Sequence, residues 1–136
     1  SRRVTCARMT TFLAGVDSEE TAEHLLAYLR ERIDDGDTVY AVNSQRGGDD
    51  TSDDEIAAGK SALEPLEEHI GADGRQLVRG NSPQEDMLKF ARDHDVDELV
   101  IAIRKRSPTG KMLFGSTAQD LLLETDRPVV TVPRQR

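Results

Sequence analysis

Short apolar runs alternate along this chain with segments whose apolar residues recur every three or four positions. Thr11 to Val16 is the first run and reads as a buried strand. Asp17-Ser18-Glu19-Glu20 follows, with Asp17 placed as N-cap and Glu20 three residues later, the spacing of a capping box. Ala22, Leu25, Leu26, Leu29 and Ile33 then keep helical spacing, and Gly36 ends that helix. Thr38 to Val42 is a second strand, and the polar stretch from Asn43 to Thr51 reads as a loop. Ser52 with Glu55 opens a helix whose buried stripe is Ile56, Leu63, Leu66 and Ile70, and Pro65 is expected to kink or divide it. Gln76 to Arg79 is a short third strand, with Gly80 turning out of it. Ser82-Pro83-Gln84-Glu85 combines an N-cap, a first-turn proline and a third-position acid, so a helix starts there and buries Met87, Leu88 and Ala91. Glu98 to Ile103 is continuously apolar after its first residue, as a central strand would be. A loop from Arg104 to about Lys111 and an apolar ledge from Met112 to Phe114 lead to a last helix opening at Gly115-Ser116. Ala118, Leu121, Leu122 and Thr125 are expected to face the core. Arg127-Pro128 breaks that helix, and Val129 to Val132 is the final strand, closed by Pro133.

This β-α alternation predicts a parallel sheet with helices on both faces. Right-handed crossovers leave few topologies for it. In such sheets a ligand sits at the carboxyl ends of the strands where strand order reverses. The candidate site is therefore built from the loop after Val16 and the loop after Ile103.

A length of 136 residues suits one domain. The periodic pattern begins near Met9, so residues 1–8 are set apart as an N-terminal tail and 9–136 as the domain. No apolar run approaches the roughly 20 residues of a membrane-spanning helix. Cys6 is the single cysteine and lies in the tail, so no internal disulfide and no cysteine-based metal cluster is expected, and a reducing cytoplasm fits. His24, His69 and His94 are far apart in sequence and read as surface residues. The net charge is −8, carried by pairs such as Asp34-Asp35, Asp49-Asp50 and Asp53-Asp54, with few lysines. Such a surface suits high salt, as in a halophilic archaeon; an ordinary acidic protein is the alternative. It also argues against nucleic-acid binding.

No G-x-G-x-x-G or P-loop follows the first strand, and no Ser-His-Asp order or acid pair stands at a strand end. One stretch carries a distinctive spacing: Ala102-Ile103-Arg104-Lys105-Arg106-Ser107-Pro108-Thr109-Gly110-Lys111-Met112-Leu113-Phe114-Gly115-Ser116-Thr117, followed by a helix and a Pro-Val-Val strand. Together with Val16-Asp17-Ser18 and Val42 it resembles the universal stress protein signature: glycine, two residues, glycine, nine residues, glycine, then serine or threonine. The resemblance spans Thr10 to Val132. It implies a Rossmann-like, doubly wound open sheet of five parallel strands in the order 3-2-1-4-5. It also implies an adenine-nucleotide site in which the glycine loop wraps the phosphates, the Asp17 position contacts the nucleotide and Val42 lies by the adenine. Ala102 and Lys105 stand where the signature has glycines, while Gly115 and Ser116, followed by Thr117, keep its end. A Cβ at either glycine position could narrow the pocket and weaken ATP or AMP binding.

Arg104, Lys105, Arg106 and Lys111 are nevertheless the one basic stretch of an acidic chain, and they precede a helix start at Ser116. That suits an anion; a solvated loop paired to carboxylates is the alternative. Two readings follow. One is a non-enzymatic stress-response module that binds an adenine nucleotide or another anion, with at most slow ATP hydrolysis. The other is a nucleotide-free stress protein acting through dimerisation and protein partners of unknown identity. The resemblance implies a homodimer through the last strand, where Val129, Val130 and Val132 would meet a second copy. The acidic surface generates a first prediction. The melting temperature should rise from low to molar KCl as screening relieves carboxylate repulsion; a flat or falling curve would count against salt adaptation.

Overall fold

Serines start three of the helices. The computed structural model of the chain describes residues 9–45, 51–78, 80, 82–105, 112–113 and 116–134; at 104, 105, 112, 113, 116, 117 and 134 it describes the backbone. Ser18 caps α1 (Glu19–Arg32), its Oγ accepting from the Thr21 amide. Asp17, expected as the cap, lies one residue too early, and the Asp17–Glu20 capping box is replaced by this single serine bond. Ser52 and Glu55 form the expected reciprocal box at α2 (Asp53–Ala62), as do Ser82 and Glu85 at α4 (Pro83–Asp93). Each such cap is worth about 1 kcal/mol. Pro65 divides the helical segment as expected: α2 stops, and α3 (Glu64–Ile70) begins with the proline in its first turn. Proline at that position has no N–H to give Ser61, and its ring would crowd that carbonyl. Gly71, at φ 67°, ends α3 in the left-handed conformation.

The strands are β1 (Thr11–Gly15), β2 (Thr38–Gln45), β3 (Asp73–Val78), β4 (Glu98–Lys105), β5 (Met112–Leu113) and β6 (Val129–Arg134), with α5 (Ser116–Glu124) between the last two. Five are parallel, in the spatial order β3-β2-β1-β4-β6, which is the expected 3-2-1-4-5 once the short strand is set aside. That short strand, β5, replaces the apolar ledge expected from Met112 to Phe114 and pairs antiparallel with Arg104 and Lys105. Arg104 also pairs with Arg134 of β6, on the flank of β4 away from β1. β5 therefore occupies the lane of β1, beyond the point where β1 has ended.

Two aspartates hold the strand starts. Asp97 takes the Thr11 amide on its carboxylate at 2.9 Å and gives its own amide to the Thr11 carbonyl at 2.8 Å. Asp37 accepts from the amides of Thr10 and Asp34. The sheet then divides its side chains between two cores. Phe12, Ala14, Val39, Ala41 and Val100 pack with Leu25, Leu29, Leu63 and Leu66 on the α1–α3 side. Leu13, Val42, Leu99 and Ile101 pack with Met87, Phe90, Ala91 and Leu121 on the α4–α5 side. Leu122, expected in the core, is exposed, and so is Leu123.

β2 runs three residues beyond Val42, the end expected for it. Its continuation is polar but ordered by side chains. Asn43 Oδ1 accepts from Gln45 Nε2 at 3.0 Å and from Gln76 Nε2 at 3.1 Å. Those two amides also donate to the carbonyls of Glu55 (2.9 Å) and Ile56 (2.7 Å) in α2. The helix comes close enough for this because Gly59 faces the cluster: a Cβ there would fall against Asn43 Oδ1 and Gln45 Nε2. Gly59→Ala should therefore destabilise, although alanine gains about 1 kcal/mol of helix propensity over glycine. Overpacking of about 1–3 kcal/mol outweighs that gain. Urea titration should show a lowered midpoint; an unchanged or raised one would mean α2 is free to move away.

Candidate functional site

The carboxyl ends of β1, β2 and β4 converge where strand order reverses, and three contacts define the geometry there. The Val16 amide donates to the Val42 carbonyl at 2.9 Å, carrying the β1–β2 ladder past Gly15. Asn43 Nδ2 donates to the Val16 carbonyl at 2.8 Å. With its Oδ1 already accepting twice, the buried Asn43 amide is anchored at both ends, and the peptide preceding Asp17 is fixed in direction. Asp17 itself is exposed at the rim, and α1 departs immediately after it.

Gly15 opens the second contact. A Cβ there would stand 2.7 Å from Met87 Cε, 3.0 Å from Met87 Sδ and 3.6 Å from Ile101 Cγ2. The missing side chain lets Met87, from the first half of α4, lie across the end of β1 toward β4. The third contact is at the end of β2, where Ser44 Oγ donates to Asp86 Oδ2 at 2.6 Å. Asp86 is 2% exposed, and Ser44 is half-buried.

The expected site residues distribute unevenly over this frame. Asp17, Val42 and Ala102 belong to the three strand ends that meet. The Val42 side chain is buried in the α4–α5 core, and its carbonyl holds Val16. Ala102 is half-buried and packs on the α1 side beside Val130 and Val132. Arg104 and Lys105 are the last residues of β4 rather than the start of a loop, because β5 and β6 extend the pairing along it. Ser116 and Thr117 open α5. Gly115, Arg106 and Lys111 lie outside the described residues, as do residues 1–8 with Cys6.

Asn43, Gln45, Gln76 and the Ser44–Asp86 pair have no counterpart in the sequence reading. The signal for Asn43 and Gln45 was the alternation Val39, Ala41, Asn43, Gln45, which keeps period two after the residues turn polar.

The shifted ionisable groups lie away from these strand ends. A hydrogen bond from Arg75 holds Asp73 below the usual carboxylate range, one from Lys89 does the same for Asp93, and Tyr28 raises Arg32. Of the histidines expected at the surface, His69 is exposed. His94 stacks on Phe90 at 3.8 Å, and His24 encloses its Nε2. Among the described residues, no three His, Cys, Asp or Glu side chains gather as metal ligands, and no helix is long and apolar enough to cross a membrane. The arrangement offers backbone groups, one rim carboxylate and a polar pair at the end of β2.

Comparison with known proteins gives the same outline. The model of the family described as "Universal stress protein family" matches residues 9–133. A universal stress protein of Mycolicibacterium smegmatis is 38% identical over 101 residues, covering 71% of this chain and 76% of the relative. The structure of a universal stress protein from Archaeoglobus fulgidus aligns with a TM-score of 0.72 and 35% identity, covering 93% of this chain and 99% of the other. A universal stress protein structure from the same organism, in complex with dAMP, aligns with a TM-score of 0.66 and 29% identity, covering 92% and 98%.

Proposed function

This chain belongs to the universal stress protein family, and we propose that it is a non-enzymatic, cytoplasmic stress-response module that binds an adenine nucleotide across the ends of β1, β2 and β4. The observation that carries this reading is the reversal of strand order between β1 and β4, with the Val16 peptide at the strand ends anchored by Asn43. The Archaeoglobus fulgidus structure in complex with dAMP supports the ligand class.

Electrostatics orients the ligand. Arg104 and Lys105 end β4, and α5 begins at Ser116 and Thr117, so phosphate belongs at that end. The base then extends the other way, past Asp17 toward β2 and the Val42 strand end. AMP or ATP fits this scheme, with affinity lowered by Ala102 and Lys105 at two glycine positions of the family signature. The same two residues favour a second reading, a nucleotide-free protein acting through dimerisation and protein partners. Mass spectrometry of nucleotide released from heat-denatured protein separates the two. Replacing Arg104, Lys105 and Arg106 by Gln should weaken AMP binding about tenfold or more in calorimetry, a loss of about 1.4 kcal/mol. Unchanged affinity would remove this end of β4 from the site.

The partner we propose first is a second copy. Among the described strands, β6 pairs only with β4, so its outer edge is open. Val129, Val130 and Val132 are half-buried there, and Leu123 on the preceding helix is 76% exposed. An open apolar edge invites pairing, and a two-fold copy satisfies it in a closed form. Pro133 limits the length of that pairing. Light scattering should give a dimer at micromolar concentration, and Val132→Asp should give a folded monomer. A monomeric parent chain, or an undiminished dimer in the variant, would refute the edge assignment.

A further inference from the structure

We propose that two copies of this chain pair in a single register, with Val130 of each β6 facing Val130 of the other across the two-fold axis; this rests on the dimer reading above. The direction of the backbone groups on β6 decides the register. The Leu99 amide donates to the Pro128 carbonyl at 2.9 Å, so that carbonyl points to β4. Across a trans peptide the N–H lies opposite the carbonyl, so the Val129 N–H points away from β4. Successive residues of an extended strand then alternate in the side they serve. Val130 and Val132 turn their backbone groups to β4, while Val129, Thr131 and Pro133 turn theirs to the open edge. Proline has no N–H. The edge therefore offers a donor and an acceptor at Val129 and at Thr131, and an acceptor alone at Pro133.

A two-fold axis through the sheet sets the two strands antiparallel. Only residues that both point outward can exchange hydrogen bonds, so the axis falls at a residue and not between two. With the axis at Thr131, Val129 faces Pro133 of the second copy, and the missing N–H leaves the Val129 carbonyl unmet. With the axis at Val129, Thr131 faces Arg127 of the second copy, whose amide is already given to Thr125 Oγ1 at 3.0 Å. With the axis at Val130, Val129 faces Thr131 of the second copy, and every outward N–H and C=O of these residues is met in both chains. The side chains agree with this choice. Val130 and Val132 lie on the α1 face. There Val130 meets its own copy and Val132 meets Pro128 of the second copy, both apolar cross-strand pairs. The strand end at Arg134 comes to the turn that precedes the other strand. In that turn Asp126 pairs with Arg127 yet keeps 86% of its side chain exposed, so opposite charges meet at each end of the paired strands.

The test is disulfide trapping in the full chain with Cys6, its one cysteine, replaced by Ser. At the proposed axis Val130 is a non-hydrogen-bonded pair with its copy, and such Cα atoms stand about 4.5 Å apart, within disulfide reach. Thr131 is diagonal to its copy at about 7–8 Å, beyond that reach. Under mild oxidation Val130→Cys should give a covalent dimer on non-reducing gels, and Thr131→Cys should stay uncrosslinked. If Val130→Cys does not fold, Val129→Cys and Thr131→Cys chains refolded together should crosslink as a mixed pair, while neither does so alone. Crosslinking through Thr131→Cys alone, or equally through both positions, overturns the register and leaves the dimer. So does absence of any crosslink in protein that light scattering shows to be dimeric. A monomeric parent chain overturns the dimer reading together with its register.

Discussion

The Asn43 side chain is a primary amide enclosed between β2, β3 and α2, at 3% exposure. Leaving such a group without partners would cost about 1–3 kcal/mol for each unmet donor or acceptor. Its satisfaction sets the positions of much that surrounds it. Gln45 and Gln76 come to its oxygen from two strands, and each uses its second hydrogen on α2. The helix must approach closely, which is why Gly59 has no side chain. On the other side Asn43 holds the Val16 carbonyl, and so the end of β1. One amide thereby joins the packing of the first half of the chain to the shape of the cleft.

Much of this fold was legible in the residues. Ser52-Glu55 and Ser82-Glu85 announce helix starts through a local, reciprocal chemistry that needs no tertiary partner. Pro65 divides its helix for equally local reasons. The β-α alternation and the Ala102-to-Thr117 spacing carried the strand order and the family. What escaped depended on contacts between distant segments. β2 appeared to end at Val42 because its next residues are polar, yet their amides face a helix that the one-dimensional pattern does not place. β5 exists because β4 offers an open flank past the end of β1, a vacancy created by strand register. Leu122 keeps helical spacing with the core, but α5 turns Leu121 and Ala118 to the core and leaves Leu122 exposed.

The site was legible in part. The strand-end location followed from topology, and Asp17 and Val42 belong to ends that converge. Their roles are less direct than the family pattern suggests. Asp17 yields the helix cap to Ser18, so its carboxylate is not committed to α1. Val42 contributes its carbonyl to the Val16 amide and its side chain to the core. At Ala102 the methyl group packs against the α1–α3 core, as Val130 and Val132 do, so the departure from glycine adds to that core. The Ser44–Asp86 pair escaped because a serine and an aspartate 42 positions apart in sequence have no spacing to recognise.

Asp97 clasps the first residue of β1 across a separation of 86 residues, and the two strands it joins are neighbours in the middle of the sheet. During synthesis β1 leaves the ribosome before the strand that completes its far side, which follows only after the first four helices. Synthesis at about 5–20 residues per second leaves that side of β1 unpaired for several seconds. In that interval β1 can pair with β2, and the two can fold against α1, α2 and α3. The α1–α3 core is drawn mostly from the first half of the chain, and its seam with the second half is the β1–β4 junction. The cleft at the end of that junction is complete only once the second half of the chain has docked.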